Sequence, residues 1–217
     1  MPLTEELEAL AYDVAFSLVD ETPDLAESLA QSRDAARKLR ALAVVVLLTR
    51  ADVQRFQANL RHAAGLRLAY LKAAAQAGDL QAAGREYAAG RSAGLFDALA
   101  GGDIALAREI ARLSPHDWRS DCEYEDDFLY AQFLHAHLLG AQWPGPTMPS
   151  ILERFEHSLE GAGSARLIVC RALLAGDAAM FAGAFDELLQ EQRRELASRR
   201  ELGALDDPVV EIGRAHV

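Results

Sequence analysis

Apolar residues recur at intervals of three and four along most of the chain, the spacing that places them on one face of an α-helix. Leu7, Leu10, Val14 and Leu18 follow this spacing and predict an amphipathic helix over residues 4–19. β-branched and aromatic residues are sparse, whereas Ala, Leu, Glu, Arg and Gln, which favour helices, are abundant. The chain is therefore predicted to be all-α.

The same spacing predicts two long helices after the first one. Thr22-Pro23 is a helix start signal, with Thr as the cap and Pro at the first helical position. The helix that begins there is predicted to run toward Thr49, with a break near Ser32 left open. A further helix is predicted over residues 52–76, where apolar residues keep the same spacing.

A Gly-Asp pair punctuates three Ala/Leu-rich segments, at Gly78-Asp79, Gly102-Asp103 and Gly176-Asp177. Gly tolerates the left-handed conformation that closes a helix, and Asp caps the start of the next one. Each pair therefore predicts an αα-hairpin, and the second helices are placed at about 80–98, 103–113 and 177–200. The pairs lie 24 and then 74 residues apart, which is too irregular for a tetratricopeptide array.

Two loops divide the second half of the chain. The segment SPHDWRSD (114–121) predicts a loop, in which Trp118 is expected to anchor the backbone on the core. A helix follows over 124–139, with Phe128, Ala131, Phe133 or Leu134, and Leu138 pointing inward. WPGPTMPS (143–150) is the strongest break in the chain. We expect an irregular bundle or short solenoid of about eight to nine helices, forming a single helical domain over 1–210 with a subdivision near 143–150.

Charge and composition exclude several classes of function. The net charge of −11 opposes binding to nucleic acid, which needs a positive field. Eight of nine charged residues in 35–74 are basic, and nine of ten in 1–34 are acidic, so the two stretches are expected to pack together. The most apolar run, ALAVVVLL, is too short to span a membrane. Two cysteines and an acidic N-terminus favour a reduced, cytoplasmic protein without a membrane partner.

The most distinctive segment is DCEYEDDFLYAQFLH, residues 121–135, with five carboxylates within seven residues. Asp126 and Asp127 are adjacent and point about 100° apart on a helix, and Glu-x-x-His spacing is absent, which argues against a metal site. The acids suit the first turn of a helix instead. His135 and His137 are expected to lie on different sides, one buried and one exposed.

No motif in the sequence supports catalysis. The Gly-rich segments lack the Lys-Ser/Thr of a phosphate-binding loop, and neither GxSxG nor HExxH occurs. Acids beside Cys122 are expected to raise the pKa of its thiol, and Cys170 lies in an apolar run that predicts a core position. We therefore predict a protein that is not an enzyme, with no catalytic residue, no metal and no cofactor.

The last seven residues, EIGRAHV (211–217), break the helical pattern. They match the translation of a common short-read sequencing adapter. We therefore expect this tail to be non-native and the natural protein to continue past Val210.

Aromatic residues alternate with the carboxylates of the distinctive segment, a composition that is typical of protein interfaces. The candidate partner-binding residues are Asp121, Glu123, Tyr124, Glu125, Asp126, Asp127 and Tyr130. A structural alternative stays open for this segment. Phe128, Tyr130 and Leu134 can belong to the core, and Asp126 or Asp127 can cap a helix.

Three segments carry a resemblance to a known family. LFDALAGGDIALAREIARLSPHDW and DCEYEDDFLYAQFLHAHLLG resemble the centre of the immunity protein 49 family of bacterial polymorphic toxin systems, and RALLAGDAAMFAGAFDELLQEQRREL resembles its second half. The resemblance implies a mostly helical, non-catalytic protein that binds a cognate toxin domain, for which a basic nuclease would suit the acidic charge. It supplies no catalytic residues. The alternative function is a helical-repeat adaptor or regulatory module that binds another protein.

Overall fold

A computed structural model describes residues 25–77 and 84–201, and within them every regular element is a helix, as predicted. The α-helices are α1 (Leu25–Arg50), α2 (Val53–Ala77), α3 (Ala93–Ala100), α4 (Ile104–Leu113), α5 (Glu125–Leu139), α6 (Met148–Ser158), α7 (Ala165–Ala175) and α8 (Ala178–Glu201). Short 3₁₀ turns lie at Gly84–Tyr87 and Gly140–Gln142. The helix predicted over 4–19, the Gly78-Asp79 hairpin and the tail 211–217 fall outside the described residues.

The α1–α2 hairpin forms the first layer of the bundle. Helix α1 is continuous, so no break occurs near Ser32. It ends at Arg50, and Ala51 adopts a left-handed conformation with φ of 50°. The side chain of Asp52 then accepts a hydrogen bond from the backbone N–H of Arg55 at 3.0 Å, which caps α2.

Two of the predicted Gly-Asp hairpins are confirmed. Gly102 has φ of 74°, and Asp103 Oδ1 accepts a hydrogen bond from the backbone N–H of Leu106 at 2.9 Å. Gly176 has φ of 65°, and Asp177 caps α8 in the same way. The left-handed glycine and the capping aspartate depend only on residues a few positions away, so both form as the local sequence predicts.

The helix predicted over 80–98 is wrong, because α3 begins only at Ala93. Tertiary contacts hold the preceding backbone in another conformation. Arg67 on α2 donates hydrogen bonds to the carbonyl oxygens of Glu86 at 2.6 Å and Ala88 at 3.4 Å. The N–H of Gly90 donates to the Glu123 carboxylate at 2.6 Å. These contacts replace the bonds that a continuous helix would make.

The core surrounds α5, where every residue from Phe128 to Ala136 is buried. Phe133 and Leu134 are both inward, whereas Leu138 is only partly buried. The cluster of buried residues extends from α2 to α7, on both sides of the 143–150 break. As expected, His135 is buried and His137 is exposed.

The basic residues of α1 and α2 bind mainly to α3, α4 and neighbouring acids. Arg40 pairs with Asp97 on α3, Lys72 pairs with Glu109 on α4, and Arg61 donates to the carbonyl oxygen of Gly101. Asp34, which belongs to the acidic stretch, pairs with Arg37 and Lys38 in its own helix. The acids before residue 25 fall outside the described residues.

Candidate functional site

A cavity of about 690 Å³ opens beside the N-terminal end of α5. Its walls are the 88–92 turn, the 120–124 loop, α7 and α8. The residues that line it are Ala88, Gly90, Arg91, Ser92, Phe96, Ser120, Asp121, Cys122, Glu123, Tyr124, Asp127, Tyr130, Arg166, Leu188, Glu191 and Gln192. Five of the seven candidate partner-binding residues are among them.

Arginines from later helices pair with the first-turn acids of α5. Arg166 on α7 donates to Asp127 at 2.6 Å and to Asp126 at 2.7 Å. Arg154 on α6 donates to Glu125 at 2.7 Å. These acids do not cap their own helix through their side chains. They connect α5 to α6 and α7, and Glu125 and Asp126 do not line the cavity.

Glu123 joins the 120–124 loop to the 88–92 turn. Its carboxylate accepts the hydrogen bond from the N–H of Gly90, and a second, longer one from the N–H of Arg119 at 3.5 Å. Burial raises the pKa of Glu123, and the charge of Asp127 adds to this shift while the backbone donors oppose it. A methyl group on Gly90 would lie 3.0 Å from both Glu123 and Asp127, so only glycine fits between them without a shift.

Asp121 and Cys122 form the outer edge of the cavity. Asp121 pairs with Arg119 at 3.2 Å. Burial raises the pKa of the Cys122 thiol, and the carboxylate of Asp121 adds to the effect. The direction matches the sequence prediction, although burial contributes more than the neighbouring acid.

Two aromatic side chains are exposed near the cavity. Tyr124, immediately before α5, is 78% exposed. Trp118 is 39% exposed, so the prediction that it anchors its loop in the core is wrong. Instead its Nε1 donates to the carbonyl oxygen of Glu123 at 3.3 Å, and the Arg154 guanidinium lies 5.7 Å from the ring centroid.

Tyr130 occupies a different position from the other candidate residues, because it is only 7% exposed. Its ring lies between Phe96 and Phe155, with both centroid distances at 6.4 Å. The Arg166 guanidinium covers the ring at 5.5 Å. Burial raises the pKa of the Tyr130 hydroxyl. Tyr130 is therefore a core residue that also lines the cavity.

Two further polar groups lie in the interior, away from the cavity lining. Asp97 on α3 is 2% exposed and accepts two hydrogen bonds from Arg40 Nε, at 2.9 and 2.8 Å. Burial raises the pKa of Asp97 to about 6, against the charge of Arg40. On α5, burial lowers the pKa of His135 to about 3, and the nearby His116 and Arg67 lower it further.

Two parts of the cavity lining were not predicted from the sequence. Arg91 lies in the turn that was predicted to be helical, and Leu188, Glu191 and Gln192 lie on α8, whose exposed pattern carried no signal. The only sequence feature that pointed to Arg166 was the pair of adjacent aspartates, Asp126 and Asp127, whose charges favour a nearby cation.

The described residues contain no group of three or more His, Cys, Asp or Glu side chains that could hold a metal ion. None of the helices among them is both long enough and apolar enough to cross a membrane.

Comparison with curated proteins and with solved structures finds no match. The sequence profile of a family described as immunity protein 49 matches residues 57–207, which is more than half of the chain. The matched range begins within α2 and includes every residue that lines the cavity. The chain therefore belongs to the immunity protein 49 family.

Proposed function

We propose that this protein neutralises a cognate bacterial toxin by binding it directly, without catalysis and without a cofactor. The observation that carries the proposal is membership in a family of immunity proteins. A basic toxin domain, such as a nuclease, suits the net charge of −11, because opposite charges accelerate association. In this proposal the protein acts in the cytoplasm and binds neither nucleic acid nor a membrane.

The surface around the cavity is the proposed contact region. Tyr124 and Trp118 are exposed there, and aromatic residues are frequent anchors of protein interfaces. Glu125 and Arg154 lie beside them, already paired with each other. This arrangement supports an interface in which aromatic anchors supply affinity and the surrounding charges set orientation. Asp121, Glu123, Asp126 and Asp127 belong to its rim and supporting structure.

Co-expression with a toxin tests the function itself. The toxin is the one encoded beside the gene for this protein, and its inactive variant serves as the binding partner. We expect cells that produce the active toxin to survive only when this protein is present, and the purified pair to form a stable complex. Cell death despite production of the folded protein would refute neutralisation, whereas survival without a complex would refute direct binding.

Substitution of Tyr124 by Ala tests the surface. Because the side chain is 78% exposed, the free energy of unfolding should hardly change. Removal of an aromatic anchor should weaken toxin binding by about 2 kcal/mol, or roughly 30-fold, measured by isothermal titration calorimetry. Leu48→Ala is the matched control, because Leu48 is equally exposed but lies on α1, which contributes no residue to the cavity. Equal effects of both substitutions would place the interface elsewhere.

A further inference from the structure

The cavity carries an excess of negative charge. Four carboxylates line it, from Asp121, Glu123, Asp127 and Glu191, against the guanidinium groups of two arginines. Arg119 balances Asp121, and backbone N–H groups, which carry no net charge, bind Glu123. Glu191 has no ion pair within the described part of the chain. The cavity lining therefore carries unbalanced negative charge, which a cation from outside the protein can balance.

The two arginines do not cancel this excess. Arg166 is shared between Asp126 and Asp127, so that cluster keeps one net negative charge. Arg91 is exposed and has no ion pair among the described residues, so it contributes a single positive charge at the opening. With Glu123 and Glu191 included, the cavity lining together with the adjacent Asp126 holds three negative charges against one positive charge, when the Asp121–Arg119 pair is counted as neutral.

A buried polar group at the cavity is available to a ligand. Tyr130 is 7% exposed and lines the cavity, yet its hydroxyl has no hydrogen-bond partner among the described residues. Because Tyr130 lines the cavity, a hydrogen-bonding group that enters the cavity can reach this hydroxyl. An external donor at this position would satisfy it. This observation is independent of the acidic charge, and the hydroxyl can accept a hydrogen bond from the same cationic donor that the carboxylates bind.

Apolar surface lies next to these acceptors. Phe96 and the Tyr130 ring line the cavity from one side, and Leu188 lines it from α8. A long basic side chain has an aliphatic stem that packs against apolar groups while its charged end binds carboxylates. An arginine also offers five planar donors, which suit several acceptors at once.

We propose that this cavity binds the guanidinium of an arginine side chain projecting from the partner, between the carboxylates of Glu191 and Glu123 and the hydroxyl of Tyr130. The inference rests on the proposed function only for the identity of the partner, which is the toxin. The cavity itself binds the side chain by local chemistry, so a small probe can replace the toxin in the test.

The probe is N-acetyl-L-arginine N-methylamide, titrated into the whole protein and followed by two-dimensional ¹H–¹⁵N NMR. We expect saturable shifts at the amides of Gly90–Ser92 and Ser120–Tyr124, with a Kd of about 1–10 mM. The matching citrulline compound, which has the same shape but no charge, should bind at least about tenfold more weakly. Shifts spread over other surfaces, equal binding of citrulline or an absence of saturable shifts would overturn the inference.

Two variants sharpen the assignment. Tyr130→Phe keeps the ring and removes the hydroxyl, and Glu191→Gln removes one carboxylate. Each should weaken the probe about threefold. Glu187→Gln, the same substitution one turn earlier on α8 at a residue outside the cavity lining, should leave binding unchanged. Tighter binding of N-acetyl-L-glutamate N-methylamide than of the arginine probe would also overturn the inference, since it would identify Arg91 and Arg166 as an anion site.

The two proposals fail in distinguishable ways. Loss of protection in the co-expression assay, with normal binding of the probe, would refute neutralisation and leave the arginine site intact. Protection without probe binding would keep the immunity function and refute this assignment of the cavity.

Discussion

Two arginine–carboxylate groups in this protein use the same chemistry in different surroundings. Asp97 and Arg40 are almost completely enclosed, and the Arg40 Nε–H, shared between the two carboxylate oxygens, connects α1 to α3. Arg166 instead holds Asp126 and Asp127 at the edge of a cavity, where all three side chains keep access to solvent. The enclosed pair can only stabilise the fold. The group at the cavity retains carboxylate lone pairs that can accept further hydrogen bonds.

Asp97→Asn should give the largest effect, because it leaves the Arg40 guanidinium largely buried without a counter-charge. We expect a loss of about 3 kcal/mol in the free energy of unfolding, measured by urea denaturation. Asp34→Asn is the control, since it breaks exposed pairs on the same helix α1 and should cost at most about 0.5 kcal/mol. Similar losses for the two variants would mean that burial does not distinguish these ion pairs.

Lowering the pH should reduce the free energy of unfolding through His135, which lies in the interior and not at the cavity edge. Its pKa is lowered to about 3 in the fold against 6.5 for a free histidine, so between these values the unfolded chain binds one more proton. Stability from this group is therefore complete above pH 6.5 and is lost as the pH falls toward 3. The opposite slope from Asp97, whose pKa is raised to about 6, overlaps this range, so a variant is needed to isolate the effect.

His135→Leu removes the ionisable group from α5. Between pH 6 and pH 5, the wild type should lose roughly 1 kcal/mol relative to this variant, measured as the difference in unfolding free energies. His137→Gln, which changes the exposed histidine two residues later, should follow the wild type at both pH values. A constant difference between wild type and His135→Leu would contradict the burial of a neutral His135.

Arg166→Gln should cost much less than Asp97→Asn, about 1 kcal/mol in the free energy of unfolding, because the side chain keeps 30% of its surface exposed. The cost arises from two adjacent carboxylates that lose their shared cation. Arg171→Gln is the control on the same helix, where a single exposed pair with Glu156 is lost, and it should cost less than about 0.5 kcal/mol. If Arg166→Gln cost as much as Asp97→Asn, the cavity edge would be as rigid a part of the fold as the interior pair.

The sequence predicted well what local chemistry determines. The left-handed glycines at Gly102 and Gly176 and their capping aspartates act within one helical turn, so the α3–α4 and α7–α8 hairpins were recognisable. The helix α5 and the burial of Phe128, Ala131 and Phe133 followed from apolar spacing, whereas Leu138 is only partly buried and the burial of every residue from 128 to 136 was not predicted. The predicted subdivision near 143–150 and the single domain over 1–210 stay predictions.

What the sequence could not predict depends on contacts between distant residues. The prediction of a helix over 80–98 was wrong because Arg67 and Glu123, from elsewhere in the chain, bind the backbone of the 86–90 segment. Asp97 looked like an ordinary helix residue, since its partner Arg40 lies 57 positions away. The acidic segment was distinctive in the sequence, but its pairing with Arg154 and Arg166 depends on the packing of α6 and α7 and could not be predicted.

The enclosure of α5 has a consequence for synthesis of the protein. Helix α5 is buried around its whole circumference from Phe128 to Ala136, yet α6 and α7, which help to cover it, follow it along the chain. The ribosome must add about 36 residues between Leu139 and Ala175, which takes roughly 2–7 s at ordinary elongation rates. Until those residues exist, α5 cannot acquire the contacts with α6 and α7 that help to bury it in the fold.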